Sequence, residues 1–397
     1  MQDHPVLAQV TIGHAPVMDV RRAIVGARLG IAPARSDASV DGRALLAALS
    51  EVWQPPPLHA GKATPGGMVS LNLVGEPLFR AVLAAKPAAP FAIEVPRFLL
   101  GDSASAAALR AASDAGVNLW LKGRGESTAT EAMPGKFGHA LFDHDEPPPA
   151  AGLQAVASGV QTSADIEVAF KRGAVAVTGW PLHDELPKSG QRPRVAPEMH
   201  VVLELMQRID REESIDRLEA TLKGDPSLAY RLLRYLNSAA FGLRVEITTF
   251  RHALQMLGYH KLKRWLSLLL MWASKDASLT PVMFAALRRG LLMEELGRGS
   301  GDTEMRSEMF ICGVFSLLDR MLKQPFGELL SSVPMPERVS QALSSNAGPY
   351  MPYLELARAI ESGSGHDIGE ATAALMLGPA EVNRALLTSL LAARQLE

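Results

Sequence analysis

The chain is 397 residues long, with 47% hydrophobic and 21% charged residues and a formal net charge of −2. That length exceeds the usual span of one domain and the composition is that of a globular protein, which argues against disorder and for two folded domains. Residues 1–190 carry 16 basic against 18 acidic side chains, and the remainder 24 against 24. Neither half has the cationic excess that binding a phosphate backbone requires, so no nucleic-acid partner is expected.

The opening Met1-Gln2-Asp3-His4-Pro5 has no basic n-region or long apolar h-region and does not read as a signal peptide. Further on, strand and helix patterns alternate. Val69 to Val74 reads as strand and Glu76 to Ala85 as helix; Phe91 to Val95 repeats the strand. The Ala-rich helix from Ser103 to Ala115 has Ser103 as its expected cap. Val117 to Leu121, Leu141-Phe142 and Leu153 to Val156 are further strand candidates. A helix over Asp165 to Arg172 precedes a strand over Ala174 to Thr178. Such alternation predicts parallel α/β architecture, and the number of units points to a barrel. The barrel reads as incomplete. About 185 residues is short for an eight-fold barrel, and the connection Asp143 to Gly152, with three consecutive prolines, is too short for a crossover helix.

Prolines and basic residues between Pro187 and Pro197 mark an exposed linker, which divides the chain into residues 1–186 and 198–397. Beyond it the period becomes helical, with Val201, Leu205 and Ile209 spaced by four and Ile215, Leu218 and Leu222 on one face. Asp225-Pro226 resembles an N-cap followed by proline at the first helical position. Gly258 is suited to end the helix that contains Ala253, Leu254 and Leu257. The basic run Tyr259 to Arg264 reads as a solvated helix face. The apolar run Trp265 to Ala273 is far short of the roughly 20 residues needed to span a bilayer, so no membrane insertion is expected. The single cysteine, Cys312, lies in an apolar run and reads as a small buried hydrophobe in a reduced, cytoplasmic setting.

Generic catalytic signatures are scarce: there is no P-loop, dinucleotide glycine fingerprint, Cys-x-x-Cys or zincin helix. The dipeptides His144-Asp145, His183-Asp184 and His366-Asp367 could serve a metal only with further ligands around them, and all three read as loop residues. His139, Asp143, His144 and Asp145 form the densest His/Asp cluster, read as a solvated polar loop. No cofactor is expected.

The stretch Asp225-Pro226-Ser227-Leu228 … Leu232-Leu233 … Asn237-Ser238-Ala239-Ala240-Phe241-Gly242 is similar to the DP-x-L…LL…NSA-x-FG pattern of HDOD domains, and Ile247-Thr248 and Ala253…Leu257-Gly258 continue it. The resemblance implies an all-helical domain related to HD phosphohydrolases but lacking their metal ligands. Asp225, Pro226, Leu232, Asn237, Ser238, Phe241, Gly242 and Gly258 are its motif residues. Helix caps, core and turns account for most of them physically. Where the enzymes place His-Asp, this chain has Ser316-Leu317, and the upstream histidine falls near Arg288-Arg289. Leucine cannot ligate a metal.

The first half resembles a degenerate EAL domain, the cyclic-di-GMP phosphodiesterase barrel. Gly13 to Asp19 resembles the "RQPIFD" start found in EAL proteins fused to HDOD domains. Asn72 and Glu94 match two metal-ligand positions of that family, and Thr178-Gly179-Trp180-Pro181 matches its "QG…P" end. The other acids are replaced. Arg28 stands for the signature glutamate, Lys122-Gly123 for the aspartate pair, and Ala157-Ser158-Gly159-Val160-Gln161-Thr162 for "AEGVET". A two-metal hydrolase needs several carboxylates to hold its cations. The expectation is therefore no metal and no catalysis, with Arg28, Lys122 and Arg124 available to an anion. The resemblance implies a signalling adaptor that acts through protein partners and is linked to cyclic-di-GMP signalling. The alternatives are a residual phosphodiesterase or HD-type hydrolase, and a metal-free receptor that binds a cyclic dinucleotide without turnover.

Overall fold

The computed structural model describes residues 2–53, 68–123, 133–148, 152–186, 197–214, 276–329 and 335–396, together with 217, 218, 221, 252, 258 and 266. Eight strands close into a barrel in chain order: β1 (Val10–Met18), β2 (Ile24–Pro33), β3 (Met68–Leu73), β4 (Phe91–Pro96), β5 (Asn118–Lys122), β6 (Phe137–Asp143), β7 (Gln154–Val160) and β8 (Ala176–Gly179). β1 runs antiparallel to both neighbours, and the other pairs are parallel. The strands are thus complete, and the incompleteness expected of the barrel lies in its helical layer. β6 and β7 pair in parallel with no helix among the described residues of their connection. Among the described residues the outer helices are α1 (Gly42–Ser50), α2 (Glu76–Ala84), α3 (Ser103–Asp114) and α4 (Ser163–Lys171).

Local chemistry sets these boundaries. Asp102, and not Ser103, caps α3: its carboxylate accepts from the Ser105 amide, so Ser103 is the first helical residue. A carboxylate is suited to the partial positive charge of a helix start. Thr162 caps α4 in a reciprocal box with Asp165. β1 carries Pro16, which lacks a ladder donor. It is tolerated because β8 pairs with β1 only at Val17 and Met18, which leaves the preceding part of β1 as an edge. The Trp180 indole donates to the His14 carbonyl at 2.9 Å along that edge.

Helices follow the barrel. Among the described residues they are α5 (Pro197–Asp210), α6 (Thr280–Leu296), α7 (Thr303–Phe315), α8 (Leu318–Leu322), α9 (Phe326–Leu329), α10 (Glu337–Ser345), α11 (Met351–Ser362), α12 (Gly365–Ala374) and α13 (Pro379–Leu396). α5 buries Val202, Leu205, Met206 and Ile209, so its apolar stripe takes Val202 in place of the expected Val201. Cys312 is fully buried in α7, as its apolar surroundings predicted.

By packing, the chain divides into two compact units. One joins Met1–Asp184 to Glu355–Thr388, and the other joins Glu185–Leu354 to Ser389–Glu397. The division into residues 1–186 and 198–397 therefore departs from the packing at the C-terminal end, where most of α11, all of α12 and the start of α13 group with the barrel. The physical reason is the β1–β2 hairpin. It connects directly and supplies no crossover helix, and the later helices cover it.

Candidate functional site

The strand register sets Arg28 of β2 beside Ser70 of β3 and Ser70 beside Ala92 of β4, with Glu94 next on the same face and level with Trp120 of β5. Side chains alternate between faces, so Arg28, Ser70, Asn72, Glu94, Trp120 and Lys122 share one face. It is the inner one. Val17, Ala92, Trp120, Leu141, Val156 and Ala176, contributed by six different strands, pack together there.

Glu94 is the hub. Its side chain is completely buried. The Arg28 guanidinium donates to it from two nitrogens, Nε to Oε1 at 2.7 Å and Nη2 to Oε2 at 2.9 Å. The Ser70 hydroxyl donates to Oε1 at 2.9 Å. Lys122 Nζ lies 3.8 Å from Oε2 and donates to Asn72 Oδ1 at 2.7 Å. Two cations therefore hold the Asn and Glu that the EAL resemblance assigns to metal. Burial alone would raise the Glu94 pKa, but Arg28, Lys122 and Ser70 outweigh it and hold the carboxyl below its usual range. Burial acts to lower the Arg28 pKa and is outweighed by Glu94, for a net rise. At Lys122 burial prevails over the Glu94 charge and lowers the pKa.

This donor set does not fit a divalent cation. Both Glu94 oxygens accept from a fixed guanidinium fork, the Asn72 oxygen accepts from an ammonium, and a metal would add charge beside two cations. Among the described residues no group of three His, Cys, Asp or Glu is placed to hold a metal.

The dense His/Asp cluster is dispersed. His139 lies along β6 with its ring 4.6 Å from that of Trp120, and burial lowers its pKa. Asp143 accepts from the Ser158 hydroxyl at 3.0 Å. His144 faces Asp165 at 3.7 Å. Asp184 holds the start of α4 through the Ser163 amide and hydroxyl, both at 2.7 Å. His366 and Asp367 were expected in a loop and instead open α12, because the Ser364 side chain caps it. Ser70 is the site residue that motif reading missed. Its signal was its position two residues before Asn72 on the same strand.

In the helical part, Arg288 and Arg289 are buried in α6. Arg289 Nη1 donates to Ser316 Oγ at 2.9 Å, and that hydroxyl donates to the Gly313 carbonyl at 2.7 Å. Leu317 is buried. At this location too, a cation and a hydroxyl stand where the HD resemblance places metal ligands. Gly258 has a φ of 73°, in the left-handed region, and the segment it is expected to cap lies outside the described residues. Asp225, Pro226, Leu232, Asn237, Ser238, Phe241 and Gly242 lie outside the described residues, as do Arg124 and the basic run from Tyr259 to Arg264.

Comparison with known proteins bears on both halves. Residues 196–377 match the HDOD domain model. The chain carries an HDOD domain. It is 29% identical over 218 residues to YuxH of Bacillus subtilis (strain 168), covering 53% of this chain and 52% of that protein. It is 30% identical over 171 residues to the cyclic di-GMP phosphodiesterase CdgJ of Vibrio cholerae, covering 42% of this chain and 39% of the relative. The chain thus spans about half the length, or less, of these relatives. Similar solved structures include the PaMucR phosphodiesterase in its c-di-GMP complex, at 19% identity and a TM-score of 0.31, covering 45% of this chain and 93% of that one. The cAMP-bound EAL enzyme Bd1971 is similar at 11% identity and a TM-score of 0.34, covering 43% and 62%. No helix among the described residues is long and apolar enough to cross a membrane.

Proposed function

We propose that this chain is a non-catalytic adaptor in cyclic-di-GMP-linked signalling, acting in the cytoplasm through protein partners. The carrying observation is the buried Glu94 carboxylate, held by Arg28 and Lys122. Phosphodiester hydrolysis on two metals needs carboxylates free to bind cations and a charged site open to water and substrate. Here the carboxylate at a resembling position is neutralised by the protein itself, and the Arg289–Ser316 pair repeats that substitution of cation and hydroxyl for ligands in the helical part. The link to cyclic-di-GMP rests on the EAL resemblance and on the phosphodiesterase CdgJ among the relatives.

The test is an assay of the purified chain with cyclic-di-GMP in Mg²⁺ or Mn²⁺. The expected result is no hydrolysis. Turnover that Glu94→Ala abolishes would overturn the adaptor reading in favour of a residual phosphodiesterase.

A further inference from the structure

The register Thr11 with Ala32, Gly13 with Gly30 and Ala15 with Arg28 puts these residues on the same face as the Glu94 cluster. Gly30 and Ala32 stand at the C-terminal end of β2, which runs parallel to β3, so this stretch of hairpin forms the rim of the barrel's C-terminal mouth. In barrels of this architecture that mouth is where ligands enter. The turn between α11 and α12 sits against this face of the rim. A Cβ on Gly13 would lie 2.6 Å from the Cα of Gly363 and 3.3 Å from the Ile360 carbonyl oxygen. A Cβ on Gly30 would lie 3.5 Å from the Gly363 carbonyl oxygen and 4.0 Å from Asn72 Nδ2. A Cβ on Gly365 would lie 3.0 Å from the Ala32 Cβ and 3.1 Å from Thr11 Oγ1. At the closest crossing the backbones touch because neither Gly13 nor Gly363 carries a side chain, whereas a Cβ on Gly30 would make only ordinary contact. Asn383, buried in α13, fastens the far end by donating to the carbonyls of Leu7 at 2.8 Å and Val10 at 2.7 Å.

We propose that residues 355–388 form a strap that closes the β1–β2 side of the barrel mouth, with Gly363 shielding the Asn72 edge of the ion cluster. Part of the strap, up to residue 377, also lies within the HDOD match. One segment therefore serves both the HDOD region of the sequence and the rim of the barrel, and a change that pulls on the strap alters access to the mouth. This inference concerns access alone and stands whether or not the barrel turns over a substrate.

The experiment uses the full chain with a reporter thiol from Asn72→Cys; Cys312 is fully buried and contributes little background. Gly13→Ala is the wedge, since its new Cβ meets only strap backbone among its nearest atoms. Asn383→Ala, which removes the anchor, is the second perturbation. Amide hydrogen exchange over 360–374 reports the strap, and the rate of thiol alkylation reports the mouth. The expected result is faster exchange together with at least fivefold faster alkylation in both perturbed chains. Three results would overturn the proposal: a loosened strap with unchanged alkylation, unchanged exchange in both variants, or alkylation in the unperturbed reporter chain already as fast as in the urea-unfolded one.

Discussion

Replacing Arg28 by Met removes the fork on Glu94 while keeping a long side chain in place. The carboxylate is fully buried, and its remaining partners would be the Ser70 hydroxyl and Lys122 at 3.8 Å. Breaking a buried pair from one side costs about 3–5 kcal/mol. An independent bound comes from protonation. Neutralising a carboxyl of ordinary pKa near 4.3 costs about 3.7 kcal/mol at pH 7 and about 1 kcal/mol at pH 5. The penalty should therefore shrink as pH falls. The sign is opposite in the native chain: Glu94 is depressed, so its contribution is complete above the unfolded carboxyl's pKa and is lost as pH drops through the folded value. Urea unfolding followed by tryptophan emission reads this out, since Trp53, Trp120 and Trp180 lie in the barrel unit. With a slope of about 3 kcal/mol per molar, a loss of this size lowers the midpoint by about 1–1.7 M at pH 7. The double variant Arg28→Met with Glu94→Gln removes the orphaned charge and should recover most of the loss. A single variant within about 1 kcal/mol of the native chain at pH 7, or a double variant no better than the single, would refute the account of Glu94 as a pair-dependent buried charge.

Other consequences are more local. Thr162→Ala removes one half of the reciprocal box on α4 and should cost about 1 kcal/mol, read as a lower unfolding midpoint with the fold retained. Residues 1–186 expressed without 355–388 should bind a hydrophobic dye, because Leu356, Ile360, Ile368 and Val382 are buried in the native unit and their removal uncovers what they touch. Supplying residues 355–397 as a second chain should suppress the dye signal. A dye-free, cooperatively melting 1–186 fragment would show that the barrel does not need them.

How far the fold could be read depended on which signal each segment carried. β3, β4 and β5 are short apolar runs bounded by breakers, and their expected and observed limits agree within a residue or so. β1 and β2 stand out in the sequence only as motif-bearing stretches, because Gly13, Pro16, Gly26 and Gly30 disguise the strand pattern. Three of these have a tertiary reason, Pro16 on an edge, Gly13 under a crossing backbone and Gly26 against the Met68 carbonyl of β3, and a local pattern carries no trace of any of them. α1 is hidden in the sequence for a different reason: its nine residues are mostly Leu and Ala after a capping Asp41, and a segment so short carries little periodicity. The return of residues 355–388 to the barrel is a long-range packing fact that sequence order conceals.

The site was legible in composition and misleading in charge. Reading Arg28 and Lys122 as gained cations predicts a mouth that repels divalent metal and attracts anions. The geometry keeps the first consequence and weakens the second. Arg28 spends two nitrogens on Glu94, and Lys122 is turned to Asn72 and lies beside the same carboxylate, so much of their charge is already answered within the barrel. An anion that recruited Arg28 would have to leave a fully buried carboxylate without its fork, at the same cost of about 3–5 kcal/mol that the Arg28→Met variant incurs. A cyclic dinucleotide held by Arg28 must exceed that cost before any affinity is seen. One that leaves the pair intact must bind through other groups at the mouth. The buried pair thus argues against metal-dependent hydrolysis and against simple anion capture by Arg28 for the same physical reason.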